Sequence, residues 1–144
     1  MKRRDFVQCL PAVASGLMVG TASLSLGACT GVPYITPRPR PGGLAVSGSV
    51  LDEQGAAFIQ SPGMERPIYL HRDPSGKTVA VLASCTHRGC QPRPSGDRLV
   101  CPCHGSEFSL NGDVVEGPAE RSLIRYEVTQ EEDEVVIWLE RRAG

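Results

Sequence analysis

The chain has 144 residues, enough for one ordinary domain and a tail. Its 15 Lys and Arg nearly balance 16 Asp and Glu, for a formal charge of −1, which excludes a strongly basic nucleic-acid binder. Sixteen Gly, 12 Pro and only 5% aromatic residues point to turns and short strands around an aliphatic core, and six Cys call for a metal, a disulfide, a lipid or a combination of these.

The first segment reads as an address. Lys2, Arg3 and Arg4 precede a mostly apolar run from Cys9 to Ala28, the pattern of an export signal. Arg3-Arg4-Asp5-Phe6 resembles a twin-arginine motif, and Leu26-Gly27-Ala28-Cys29 resembles a bacterial lipobox. Two outcomes follow: Cys29 becomes a lipidated N-terminus, or the run stays as a membrane anchor of just sufficient length. Pro11 weakens the second as a stable helix. Both place the rest of the chain outside the cytoplasm, membrane-attached and facing the periplasm. Cys9 is given no role. Removing residues 1–28 takes away three of the 15 basic groups and one of the 16 acidic ones, leaving −3.

Residues 29–43 read as a Pro-rich tether. Pro33, Pro37, Pro39 and Pro41 disfavour a helix or a central strand, and an extended polyproline run of this length reaches roughly 40 Å. The expectation is a spacer, with a hinge as the functional alternative.

Residues 44–142 predict an all-β domain, an antiparallel sandwich or partly open barrel. Strands are expected over Leu44–Leu51, Pro67–His71, Thr78–Ala83, Arg98–Cys101, Leu123–Thr129 and Glu134–Leu139. Asp73-Pro74-Ser75-Gly76 and Asn111-Gly112 are turn signals, and Glu131-Glu132-Asp133 an acidic hairpin end. That end reads as a solvated turn, with a basic cytochrome as a possible counterpart. No helix longer than one turn is expected. So small a core should lean on covalent or metal staples.

The chemistry sits in two segments, Cys85-Thr86-His87-Arg88-Gly89-Cys90 and Cys101-Pro102-Cys103-His104-Gly105-Ser106. Each pairs a Cys with a His and carries a second Cys. Such donors suit three arrangements: a structural zinc, a bare disulfide framework or an iron–sulfur centre. Zinc fits poorly, because its usual spacing keeps the two cysteines together in one loop and the two histidines in the other.

Both segments resemble the cluster-binding loops of Rieske proteins, which hold one 2Fe–2S centre. The resemblance implies that Cys85 and Cys101 bind one iron and that His87 and His104 bind the other. It implies a Cys90–Cys103 disulfide, as in the high-potential subunits of cytochrome bc complexes, and a disulfide agrees with export. It implies that Ser106, after Gly105, donates a hydrogen bond to a bridging sulfide, and that Pro118 belongs to a loop covering the cluster. With neutral imidazoles, two ferric ions, two sulfides and two thiolates sum to zero charge, which eases reduction. A potential that falls at high pH, as the ligand imidazoles lose protons, is also expected.

Two positions depart from the bc pattern. Phe108 stands where a Tyr hydroxyl commonly bonds a ligand sulfur, and its absence should lower the potential. Arg88 stands where an apolar residue commonly docks against cytochrome b, and a charge is costly to bury in an apolar pocket. The expected activity is therefore one-electron transfer as subunit or partner of a respiratory or periplasmic oxidoreductase. The iron–sulfur subunit of a quinol–cytochrome c reductase is the alternative, and a Rieske ferredoxin or oxygenase component a more distant one. The implied partners are a quinol-oxidising cytochrome b, a periplasmic oxidoreductase or a cytochrome c, together with a membrane and no nucleic acid. Catalysis by this chain alone is not expected. His71 reads as an ordinary surface or packing residue.

Overall fold

The structure, a computed structural model, describes residues 31–142. The leader, Cys9 and Cys29 lie outside the described residues. Twelve strands and one helix follow in order: β1 (Tyr34–Ile35), β2 (Arg38–Arg40), β3 (Gly43–Ser47), α1 (Ser49–Gln54), β4 (Ala56–Ile59), β5 (Ile68–Arg72), β6 (Thr78–Leu82), β7 (Arg93–Ser95), β8 (Arg98–Val100), β9 (Glu107–Ser109), β10 (Val114–Glu116), β11 (Arg125–Glu131) and β12 (Glu134–Arg142). Eight strands in the order β1-β4-β5-β6-β11-β12-β3-β2 form an open, strongly curled half-barrel, and β10-β9-β8-β7 form a second, smaller sheet. All pairs are antiparallel except β1 with β4. The partly open all-β architecture expected from the sequence is the one observed.

The central strands have few polar residues because both of their faces are covered. Ala57 and Ile59 on β4, Ile68 and Leu70 on β5 and Ala80 on β6 share one core with Leu44, Val46, Val135 and Ile137 inside the curl. The alternate residues Phe58, Tyr69 and Val81 face the other way. They pack with Leu99, Phe108 and Leu123 under the small sheet and the two Cys-His loops. The two-residue side-chain period thus splits one strand between two cores.

Two expectations are corrected here. The strand expected over Leu44–Leu51 ends at Ser47, and residues 49–54 form a helix longer than one turn. The Gly48 N–H turns to the Asp133 carbonyl (2.6 Å), and Gly55 closes the helix in the left-handed region with its N–H on the Leu51 carbonyl. A strand continued from Leu44 would turn Leu51 to the face opposite Leu44 and Val46, whereas the helix brings it into their core. The Pro-rich stretch expected as a spacer also supplies β1 and β2, one at each edge of the large sheet. Edges tolerate proline, since its missing N–H can face outward.

β2 has a further effect. Arg38 pairs with Glu134, and Arg40 Nη1 meets Glu131 Oε2 at 2.7 Å, so the acidic hairpin end is engaged by the chain's own arginines. Among the described residues, no helix is long and apolar enough to cross a membrane.

Candidate metal centre

The loop 85–90 joins β6 to β7, and the loop 101–106 joins β8 to β9. They share one backbone plan. The Cys85 N–H donates to the Cys90 carbonyl (2.8 Å) and the Gly89 N–H to the Cys85 carbonyl (2.7 Å). In the second loop, the Cys101 N–H donates to the Ser106 carbonyl (2.8 Å) and the Gly105 N–H to the Cys101 carbonyl (3.0 Å). Gly89 and Gly105 both sit at φ +77°, where a side chain would be strained, so a glycine in fifth place lets each loop close on itself. The first residue of each loop is therefore a Cys whose N–H and C=O are both held.

The side chains divide by depth. Cys85 and Cys101 are buried and free of disulfides, whereas His87 and His104 are exposed. The two imidazole rings meet edge to face with centroids 4.8 Å apart. Burial pushes the Cys101 thiol up, and the neighbouring Cys85 thiol adds to the shift. A soft cation that takes the Cys101 sulfur as thiolate therefore displaces its proton.

Cys90 and Cys103 form a disulfide that ties the loops together across 13 residues, with Cα atoms 6.4 Å apart. Their sulfurs lie within 4.8 Å of the Cys101 sulfur. Both are spent in the S–S bond and offer no thiolate.

The remaining candidates occupy supporting places. Ser106 is fully buried, and its Oγ accepts the Ala119 N–H at 3.0 Å. That contact fills one acceptor site and leaves the hydroxyl proton free to point elsewhere. Pro118 is exposed and follows a cis peptide from Gly117. Phe108 is fully buried beside Leu99 and Cys101 and brings no hydroxyl to the site. His71, 3% exposed, stacks on Tyr69 and leaves Nε2 without a partner. It is a packing residue beside Tyr69 and is not among the residues of the two loops.

Three contacts escape a reading of the sequence. Thr86 Oγ1 donates to the Arg121 carbonyl (2.5 Å), Arg66 Nε donates to the Gly89 carbonyl (2.6 Å), and Gln91 Nε2 donates to the Tyr34 hydroxyl (2.6 Å). They join positions 23 to 57 residues apart, and nothing in a local motif signals such pairs.

The donor set fits an iron–sulfur cluster better than a single ion. Four ligands around one zinc stand about 3.8 Å apart at metal–sulfur distances near 2.3 Å. Among the described residues, no three ligand atoms that include a histidine nitrogen come within 4.8 Å of one another. Two thiols in the interior and two imidazoles at the surface suit two irons joined by sulfides.

Comparison with known proteins agrees. Residues 47–127 match the Rieske [2Fe-2S] domain model. The chain is 35% identical to the cytochrome b6-f complex iron-sulfur subunit of Synechococcus sp. (strain WH7803), over 95% of this chain and 84% of that protein. It is 34% identical to the subunit of the same name from Prochlorococcus marinus (strain MIT 9211), over 97% and 87%. Among solved structures it resembles the cyanobacterial plasma membrane Rieske protein PetC3 from Synechocystis PCC 6803, with a TM-score of 0.57 and 30% identity over 69% of this chain and 98% of that one. One chain of the complex of reduced oxygenase and oxidized ferredoxin in carbazole 1,9a-dioxygenase matches at a TM-score of 0.55 and 22% identity, over 69% of this chain and 97% of that one, a likeness of fold alone. The two loops, their disulfide and these relatives lead to one conclusion: the chain belongs to the Rieske [2Fe-2S] family, as a one-electron-transfer protein with a motif for a single cluster.

Proposed function

We propose that Cys85 and Cys101 hold the inner iron and His87 and His104 the outer iron of the cluster, in the iron–sulfur subunit of a quinol-oxidising cytochrome b complex. When bound, the cluster takes up and releases one electron at a time. The protein's own contribution is placement. Buried Cys85 and Cys101 keep water from the inner half, while exposed His87 and His104 bring the outer half to contact with a partner. Ser106, with Ala119 on its oxygen, directs its proton to the cluster and favours the reduced state. Gly105 shapes the second loop, and Pro118 belongs to the segment that covers the centre. The relatives named as cytochrome b6-f iron-sulfur subunits, matched over most of their length, support the quinol-oxidising role.

The observation that carries this reading is the split between two buried thiols and two surface imidazoles too widely spread for one ion. The test is a redox titration followed by EPR on membranes and on the purified protein. A rhombic 2Fe–2S signal reduced by quinol, and blocked by an inhibitor of the cytochrome b quinol site, is expected. A silent spectrum after dithionite overturns the cluster assignment.

A second reading rests on Arg88, an exposed charge at the loop tip. In it the chain serves a periplasmic oxidoreductase or a cytochrome c instead of a cytochrome b. Reduction that persists when the quinol site is blocked selects it. In both readings the protein is held to the outer face of the membrane, through lipid on Cys29 or a retained N-terminal anchor. Mass spectrometry of the mature N-terminus separates the two.

A further inference from the structure

The arginines whose side chains the structure describes fall into two groups. Arg38, Arg40, Arg72, Arg98 and Arg125 each have a carboxylate within 4.0 Å. Arg66, Arg88, Arg93 and Arg121 have none, and all four are exposed. Their positions are not scattered. Arg88 lies between His87 and Gly89 in the first loop, and Arg66 is fixed to that loop by its bond to the Gly89 carbonyl. Arg121 is held beside it through the Thr86 hydroxyl. Arg93 opens β7 and pairs in register with Val100, the residue before Cys101. Between residues 83 and 106 the only acidic side chain is Asp97, which lies 3.6 Å from Arg98. Glu116 ends β10, Glu65 and Glu120 stand on connections, and none has an arginine within 4.0 Å among the described residues.

We infer that the surface around His87 and His104 is a cationic docking face for a redox partner whose contact surface carries carboxylates. The inference rests on the proposed cluster position and adds the kind of acceptor. The chain as a whole is slightly negative, at −1, so these arginines without carboxylate partners set a local field opposite in sign to the net charge. A local field of opposite sign to the net charge orients an encounter, which is how charge serves electron-transfer pairs that need speed more than affinity. An anionic membrane fits less well, because the large apolar side chains left exposed, Tyr34, Val115 and Leu139, belong to strands and not to the two loops.

Small redox ions of known charge test this on the purified holoprotein. Each ferricyanide takes one electron from one reduced protein and becomes ferrocyanide. Its stopped-flow rate should fall several-fold as ionic strength rises from about 0.01 to 0.15 M, while the cationic tris(phenanthroline)cobalt(III) shows the opposite trend. The double variant R88E/R93E should slow ferricyanide about tenfold at low salt and reverse its salt dependence, and R88K/R93K should preserve both. A ferricyanide rate that rises with salt in the unmodified protein, as the net charge alone dictates, overturns the inference. So does a rate that R88E/R93E leaves unchanged. The inert anion hexacyanochromate(III) gives a readout independent of electron transfer: it should broaden the amide signals of residues 86–89 and 104–105 in an NMR spectrum. Broadening elsewhere also overturns it. Phosphatidylglycerol vesicles that sediment the protein through Arg88 and Arg93 select a lipid surface and overturn the acidic-partner assignment. If dithionite yields no EPR signal, the cluster reading has failed, and the broadening pattern still reports on the arginines.

Discussion

In the half-barrel, β11 and β12 run for seven and nine residues, and strands from both ends of the chain close on one aliphatic core. In the small sheet no strand exceeds three residues, and its four strands bury only Leu99 and Phe108 completely. Three-residue strands are too short to be stable on their own face. The small sheet therefore depends on its underside packing against β4, β5 and β6, and on the Cys90–Cys103 bond across its loops. The comparison teaches a division of labour: burial holds the scaffold, while a covalent bond, joined in the proposed site by bonds to the cluster, holds the part proposed to meet a partner.

The largest expected effect falls wholly on the small sheet. Replacement Cys101→Ser should abolish the 2Fe–2S EPR signal and leave the far-UV circular dichroism of the half-barrel in place. Loss of both signals together breaks the division. Next, Leu70→Ala in the half-barrel should cost about 2–5 kcal/mol in denaturant unfolding, because its side chain is fully buried between β4 and β6. The same change should leave the cluster spectrum of the folded protein unaltered.

The double replacement C90S/C103S should cost about 2–4 kcal/mol through the freed loop, and it should cost cluster retention before it costs global structure. An equal drop in half-barrel protection by hydrogen exchange would argue that the two regions unfold as one. Ser106→Ala removes one hydrogen bond to the more negative redox state. At about 1.4 kcal/mol that lowers the potential by roughly 60 mV, and the melting temperature should fall as well, because the buried Ala119 N–H loses its Oγ acceptor.

The smallest effect is a slope. Burial holds the His71 imidazole below its ordinary pKa of 6.5, against weaker opposing contacts from Leu110, Arg72, Asp73 and Asn111. A depressed His favours the neutral native state, so its stability is complete above the unfolded pKa. As pH falls below about 6.5 the unfolded chain binds a proton that the native chain refuses, and stability declines by at most about 1.4 kcal/mol per pH unit. His71→Phe should flatten that decline without moving the cluster potential. An unchanged profile would mean that carboxylates alone set the acid limb.

Much of the site was legible because its signals are local. Two six-residue segments carry the Cys, His and Gly that build both loops, and family resemblance paired Cys90 with Cys103 as the structure does. The strands near residues 68, 78, 98, 125 and 134 were legible from alternation bounded by turn residues. The helix at Leu51 was not, since the apolar run reads as a strand and the turn at Gly48 is held by the distant Asp133 carbonyl. The partners of Thr86, Arg66 and Arg38 were not either, because each lies 23 to 96 residues away on another element.

By itself the sequence determined the donor types, their spacing, the left-handed glycines of the loops and the β character of the domain, because each depends on neighbours within a few residues. Only tertiary structure decided that the Cys85 and Cys101 thiols lie inside, that a proline-rich stretch edges the sheet twice, and that four arginines near the loops lack carboxylate partners among the described residues. Burial and pairing are set by which distant segments the folded chain brings together, and no local pattern encodes that distance.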